Sequence, residues 1–284
     1  MRNRPLILRT IKELRIQVQA WKADGLHVGL VPTMGALHAG HLSLVDEISK
    51  KTDRVIASIF VNPTQFAVGE DLESYPRNEA DDVNKLANHP CDLVFAPDVT
   101  EMYPEGFQTT VSLTGVTKGL EGASRPGHFD SVATVVSKLI NQCMPDVAIF
   151  GEKDYQQLQV IRRFVRDLNI NVEIIGGKLV REDDGLAMSS RNVYLSANDR
   201  AIAGQLNVIL RDLVQAVEAG APLREAEAQA TRFLLKAGFK AVDYVSIRDA
   251  QSLEEVSEIN RPARVLAVAR IGKVRLLDNM AIEA

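Results

Sequence analysis

Two histidines, His38 and His41, lie in the run VPTMGALHAGH, Val31 to His41, where an apolar strand pattern gives way to a helix pattern. A helix start carries unpaired backbone N–H groups and the positive end of the helix dipole, and both favour an anion. Imidazole N–H groups of His38 and His41 add donors suited to phosphate oxygens, and Gly40 removes a side chain where a nucleotide would press on backbone. Two histidines can also simply fill a helix start. The position after a buried strand, with Gly35 upstream, favours the phosphate reading, and neither a P-loop nor a Gly-x-Gly-x-x-Gly run competes with it.

Further polar groups follow other strand patterns. GEKD, Gly151 to Asp154, succeeds the strand-like VAIF. Lys153 offers a point charge to a triphosphate or its leaving pyrophosphate, and Asp154 an acceptor for ribose hydroxyls or magnesium-bound water. A charged turn in which Asp154 caps the next helix is the plain alternative, and the two roles can coexist. MSSRN, Met188 to Asn192, follows a turn at Gly185 and provides Ser189, Ser190 and Arg191 for phosphate oxygens, or else a serine cap in a surface loop. FVNPTQF, Phe60 to Phe66, leaves another strand and sets Asn62 and Gln65 where a small acid could be held. LEGASRPGHFD, Leu120 to Asp130, reads as a polar loop whose Arg125 suits a carboxylate or phosphate, or as a solvated connector.

The elements that must position these groups alternate in type. Strand patterns at Pro5 to Arg9, His27 to Val31, Arg54 to Val61, Asp92 to Ala96, Val147 to Phe150 and Val172 to Ile175 enclose helix-period stretches. The helices are expected at Ile11 to Ala23, opened by a Thr10/Glu13 capping box, then Leu42 to Lys51, Glu79 to Asn88, Ser131 to Gln142 and Tyr155 to Leu168. Such alternation predicts an α/β fold, a Rossmann-like doubly wound parallel sheet that binds ligands at its carboxyl edge. Beyond about residue 180 the pattern changes to helices at Asn198 to Glu218 and Leu223 to Ala237, then strands at Val242 to Arg248, Arg264 to Ala269 and Lys273 to Leu277. This predicts a smaller C-terminal α+β domain, with residues 1–179 binding nucleotide and acid and 180–284 acting as a lid.

Composition removes several function classes. With 284 residues, 46% hydrophobic and 25% charged, the chain has material for a sizeable core, and disorder is not expected. A net charge of −4 without basic blocks argues against nucleic acid as a partner. No apolar run is long enough to span a membrane. The N-terminus is arginine-bearing and amphipathic but lacks the apolar core of a signal peptide. Cys91 and Cys143, far apart, suggest neither a disulfide framework nor a zinc site and fit a reducing cytoplasm.

VPTMGALHAGHLSL, FVNPTQF, RPGHF, GEKDYQQ and DGLAMSSRN occur in that order over essentially the whole chain. The sequence thereby resembles the pantothenate synthetase (pantoate-β-alanine ligase) family of the HxGH nucleotidyltransferase superfamily. The resemblance implies ATP with magnesium as substrate, no tightly bound organic cofactor and no resident metal. It implies that the carboxylate of pantoate takes AMP from ATP and that β-alanine then displaces it. Implied ATP contacts are Met34, Gly35, Ala36, Leu37, His38, Ala39, Gly40 and His41, then Gly151, Glu152, Lys153 and Asp154, then Val180, Met188, Ser189, Ser190 and Arg191. Catalysis would fall to His38, His41, Lys153, Ser189, Ser190 and Arg191, and substrate binding to Gln65, Gln157, Asn62 and Arg125. MSSRN resembles the KMSKS-type loop of the superfamily but has no lysine, which leaves that charge to Lys153 and Arg191. Ser131 stands where a glycine often follows RPGHF. A homodimer and a cytoplasmic enzyme are also implied. A nucleotidyltransferase that releases its adenylylated product and a catalytically silent nucleotide-binding regulator remain as alternatives, while a nicotinamide oxidoreductase is set aside for want of its glycine motif.

Overall fold

A computed structural model describes residues 4–67 and 69–283; Met1 to Asn3 of the arginine-bearing start lie outside the described residues. Six strands, β1 (Leu6–Leu8), β2 (Val28–Thr33), β3 (Arg54–Ile59), β4 (Leu93–Phe95), β5 (Val147–Gly151) and β6 (Glu173–Gly177), form one sheet in the order β1-β4-β3-β2-β5-β6. Every pairing in it is parallel. Short β-branched runs buried on both faces suit such a sheet, since helices must cover both sides. The crossovers are α1 (Ile11–Ala23), α2 (Ala39–Ile48), α3 (Glu79–Leu86), α4 (Val99–Met102), α5 (Leu120–Ser124), α6 (His128–Cys143) and α7 (Tyr155–Asp167). The Thr10/Glu13 capping box opens α1 as its spacing predicts.

The order reverses at β2, which has β3 on one side and β5 on the other. Gly29 pairs with Val147 and Leu30 with Ala148, a register that sets the carboxyl ends of β2 and β5, Thr33 and Gly151, level with each other. A doubly wound sheet binds ligands at such a switch point. The C-terminal end of α2 docks closely on the start of β2: a side chain at Gly29 would meet Thr52 Oγ1 at 2.7 Å and Ile48 carbons at 2.9 Å.

The chain divides into two compact units, each assembled from separated segments. The first comprises Met1–Thr114, Arg125–Glu152 and Val160–Lys178, the second Gly115–Ser124, Lys153–Gln159 and Leu179–Ala284. The second unit contains α5, the start of α7, then α8 (Ala197–Ala203), α9 (Gln205–Glu218) and α10 (Leu223–Ala237). These are followed by the antiparallel strands β7 (Ala241–Asp249), β8 (Ala263–Ile271) and β9 (Val274–Ile282). Leu206, Leu210 and Leu213 from α9, Leu234 from α10 and Ile247, Val265, Ala267 and Leu276 from the sheet share its core.

Several boundaries differ from the sequence reading. The helix expected from Leu42 begins at Ala39, because His38 already caps it. The single helix expected over Asn198 to Glu218 is divided at Gly204, where a Cβ would meet the Asp184 backbone oxygen at 3.2 Å. The expected connector Leu120 to Asp130 is partly helical, since Leu120 and Glu121 are buried and Gly127, at φ 79°, turns the chain into α6. The last strand continues to Ile282, five residues past Leu277.

Candidate active site

The turn after β2 is shaped by two successive left-handed residues, Gly35 (φ 81°) and Ala36 (φ 51°). Glycine is required at 35, since a Cβ there would stand 3.0 Å from Asp82 Oδ2 and 3.2 Å from Ile59 Cγ2. Asp82, 1% exposed on the inner side of α3, accepts from Ala36 N at 2.8 Å through Oδ2 and from Leu37 N at 2.7 Å through Oδ1. Burial pushes its carboxyl above the ordinary carboxylate range, outweighing these two amides and the charge of Lys85. Lys85, one turn along α3, donates to Leu37 O at 2.9 Å.

His38 is the N-cap of α2, and its ring lies 4.1 Å from that of His41, tilted by 39°. Gly40 N donates to His38 Nδ1 at 3.2 Å and His38 N to His41 Nδ1 at 3.4 Å. Both δ nitrogens therefore act as acceptors, so each neutral imidazole carries its proton on Nε2. Two half-buried rings holding Nε2–H groups at the carboxyl edge of the sheet make a donor pair for an anionic oxygen. The expectation of unpaired backbone donors is narrowed: Gly40 N is taken by His38 Nδ1, and His41 N and Leu42 N by His38 O at 2.9 and 3.2 Å. The helix dipole remains at this turn, beside the two imidazoles.

The turn after β3 meets the turn after β2 in the same unit. Gln65 Nε2 lies 3.0 Å from Met34 Sδ, and Gln65 Oε1 accepts from Asn62 Nδ2 at 3.2 Å. Asn62 is 1% exposed, its Oδ1 accepting from Thr64 N, Thr64 Oγ1 and Tyr103 OH. It organises Gln65. Arg125 donates to both carboxylate oxygens of Glu70, at 2.8 and 2.7 Å, and to Gln65 O at 3.2 Å. It also lies 3.0 Å from His128 Nε2, while His128 Nδ1 is 3.0 Å from Gln65 O. Because an arginine can only donate, His128 Nε2 accepts and Nδ1–H donates to Gln65 O. The RPGHF motif thus grips the backbone of the glutamine turn, to which Ser131 adds a 2.6 Å bond to Thr64 O.

In the second unit, Lys153 and Asp154 occupy a short 3-10 turn, Glu152–Asp154, that follows β5 and leads into α7. Lys153 Nζ is 3.3 Å from Asp154 Oδ1, and Lys153 O accepts from Asn279 Nδ2 at 2.9 Å. Of the two glutamines at the start of α7, Gln156 is buried and bonded to Val116 O, Gly119 O and Glu121 N, whereas Gln157 is half-exposed. The MSSRN segment closes a small hairpin: Met188 N donates to Val180 O at 3.0 Å, and Arg181 pairs with Ala187 around the Gly185 turn. Ser189 accepts from Arg191 N at 3.3 Å and caps the 3-10 turn Ser190–Tyr194, the capping role that local sequence allows. Buried Asp278 clamps the base of this hairpin through Arg181 at 2.7 and 2.9 Å.

Asp82, Lys85, His128, Tyr103 and Asn279 escaped the sequence reading. Only Asp82 left a signal, an acid in line with inward-facing Val83 and Leu86 on α3. Cys91 and Cys143 are free buried thiols, with burial holding that of Cys91 up at about 12, too high for a nucleophile. Among the described residues no helix is long and apolar enough to cross a membrane.

Sheet order, switch-point turn and histidine pair define an enzyme of the Rossmann-like doubly wound α/β class. The family described as pantoate-beta-alanine ligase matches residues 6–281, and the chain belongs to that family. It is 58% identical over 277 residues to the pantothenate synthetase of Paramagnetospirillum magneticum, covering 98% of both chains. To that of Caulobacter vibrioides it is 54% identical over 281 residues, covering 98% of this chain and 99% of the other. The solved pantothenate synthetase from Thermus thermophilus matches with a TM-score of 0.91 at 44% identity, covering 98% of this chain and 100% of that one. The pantoate-beta-alanine ligase of Francisella tularensis, complexed with beta-gamma ATP and beta-alanine, matches at 0.82 and 35%, covering 99% and 98%.

Proposed function

We propose that the chain condenses pantoate with β-alanine to pantothenate, driven by ATP, through a pantoyl-adenylate. The observation that carries this is the pair of imidazoles held with Nε2–H donors at the sheet's switch point, in a family whose Francisella tularensis member is complexed with beta-gamma ATP and beta-alanine. In the first step a pantoate carboxylate oxygen attacks the α-phosphorus of magnesium ATP. The bond from that phosphorus to the β-phosphate oxygen breaks, and pyrophosphate leaves. The carboxylate is already ionised near neutral pH, so the step needs alignment and charge neutralisation rather than a general base. His38, His41, Lys153, Ser189, Ser190 and Arg191 supply those donors and charges. In the second step the neutral amine of β-alanine attacks the acyl carbon, the bond to AMP breaks, and the amine sheds a proton. Gln65 and Gln157, which both donate and accept, suit pantoate's hydroxyl and carboxylate groups. Asn62 and Arg125 serve by fixing the Gln65 turn. The working unit is a homodimer, which sedimentation would test.

The test mixes the purified protein with magnesium ATP, pantoate and β-alanine and follows pyrophosphate and AMP with each substrate omitted in turn. Pyrophosphate release should need ATP and pantoate, and AMP release should need β-alanine as well. Adenylylated product leaving without any amine would make the chain a nucleotidyltransferase, and absent turnover a silent binding protein. His41→Ala should remain folded and lose about 10²–10³-fold in pyrophosphate release, the usual cost of one transition-state donor.

A further inference from the structure

The histidine turn is held by two side chains that lie more than forty residues away in sequence and bond to its backbone. Asp82 commits both carboxylate oxygens to consecutive amides, Ala36 N at 2.8 Å and Leu37 N at 2.7 Å, and Lys85 takes the carbonyl of Leu37 at 2.9 Å. Leu37 is thus gripped through both its N–H and its C=O by one face of α3. The Leu37 side chain is 3% exposed and belongs to the same core as Val83 and Leu86 of that helix. Asp81 holds Lys85 in turn, at 2.7 Å. The next residue is His38, whose N–H donates to His41 Nδ1 over a long 3.4 Å. A small rotation of the Leu37–His38 peptide would lengthen that bond and weaken the constraint that favours the His41 proton on Nε2. Carboxylate-to-amide bonds of this length are the stronger, charge-assisted kind, and a carboxylate is needed because two N–H groups converge on it.

We propose that Asp82, assisted by Lys85, is the positioning residue of the histidine turn: it fixes the Leu37 peptide and thereby sets the tautomer and aim of His38 and His41. The proposal rests on the reading that this turn handles ATP. Asp82→Asn keeps the shape of the side chain but replaces one acceptor with a donor that opposes an N–H. It should lower kcat/KM for ATP about 10- to 100-fold, the equivalent of one hydrogen bond to a charged group, and leave KM for β-alanine unchanged. Nitrogen-15 spectra of the imidazoles should show the Nδ1 and Nε2 signals of His41 moving toward each other as the two tautomers mix. Lys85→Met, which keeps the aliphatic stem, should shift both readouts in the same direction by less. Glu79→Gln, half-exposed on the same helix and paired with Arg9, should shift neither. A folded Asp82→Asn protein with wild-type kcat/KM for ATP and unmoved histidine signals overturns the proposal. If Asp82→Asn does not fold, Lys85→Met decides by the same criteria. Full activity of His41→Ala would instead sink the ATP reading, and the imidazole spectra would still decide whether Asp82 sets the turn.

Discussion

Gly35 and Gly106 both stand at φ 81°, but only Gly35 has neighbours: a Cβ at 106 would meet nothing within 4 Å, and one at 35 would meet Asp82 Oδ2 at 3.0 Å and Ile59 Cγ2 at 3.2 Å. Replacing each with alanine therefore separates the backbone cost from the contact cost. Gly106→Ala should lose only the left-handed penalty, about 1–2 kcal/mol. Gly35→Ala incurs the same penalty and also pushes against a carboxylate that cannot retreat without releasing the Ala36 amide at 2.8 Å. Crowding of that kind adds about 1–3 kcal/mol. At about 2–4 °C per kcal/mol for a chain of this size, Gly106→Ala should lower Tm by roughly 2–8 °C and Gly35→Ala by about twice as much. Thermal unfolding by circular dichroism reads that difference, and pyrophosphate release at varied ATP reads the consequence. Only Gly35→Ala should lose kcat/KM for ATP, by about 10²-fold for a displacement near 1 Å. Equal Tm losses in the two variants, or wild-type kcat/KM in Gly35→Ala, would refute the reasoning that the Asp82 contact sets this turn.

Two further outcomes are expected. Asp278→Ala strips Arg181 of both carboxylate bonds at the base of the MSSRN hairpin and should cost about 3 kcal/mol by urea unfolding, the low end for a buried pair because Arg181 keeps a quarter of its surface exposed. An unchanged urea midpoint would show that the hairpin does not depend on this clamp. Burial raises the Glu70 carboxyl, but the hydrogen bonds and charge of Arg125 outweigh it and hold it below its ordinary 4.5. A depressed carboxyl stabilises the fold above its unfolded value and loses that contribution as pH falls through the folded one. The stability gap between wild type and Glu70→Gln should thus be constant above about pH 4.5 and close below it, as urea midpoints across pH 3–7 would record; a gap independent of pH would contradict the Arg125 pairing.

Much of the α/β part of the chain was legible because its signals are local. Buried parallel strands read as short β-branched runs and amphipathic helices as three- and four-residue steps, so the Thr10 capping box, α1 and the strand-to-helix turns carrying His38, His41 and Lys153 could be placed from neighbours in sequence alone. The same local logic misjudged Gly204, because a glycine within a helical pattern announces a break only when something else, here Asp184, occupies the space beside it.

The sequence by itself determined the alternation of elements, the position of the polar turns at strand ends, and the family. Tertiary structure alone decided which polar groups are already partnered and which are presented. Arg125 and Asn62, both candidates for holding substrate, are bonded to Glu70 and to the Gln65 turn, and the amides of Gly40, His41 and Leu42 at the α2 start are taken by His38. Asp82, indistinguishable in sequence from its solvated neighbour Asp81, turns inward to hold a peptide 45 residues away. The physical reason is desolvation: a buried carboxylate or amide must find a partner wherever the packed chain brings one, and that choice depends on distances in space that no local pattern encodes.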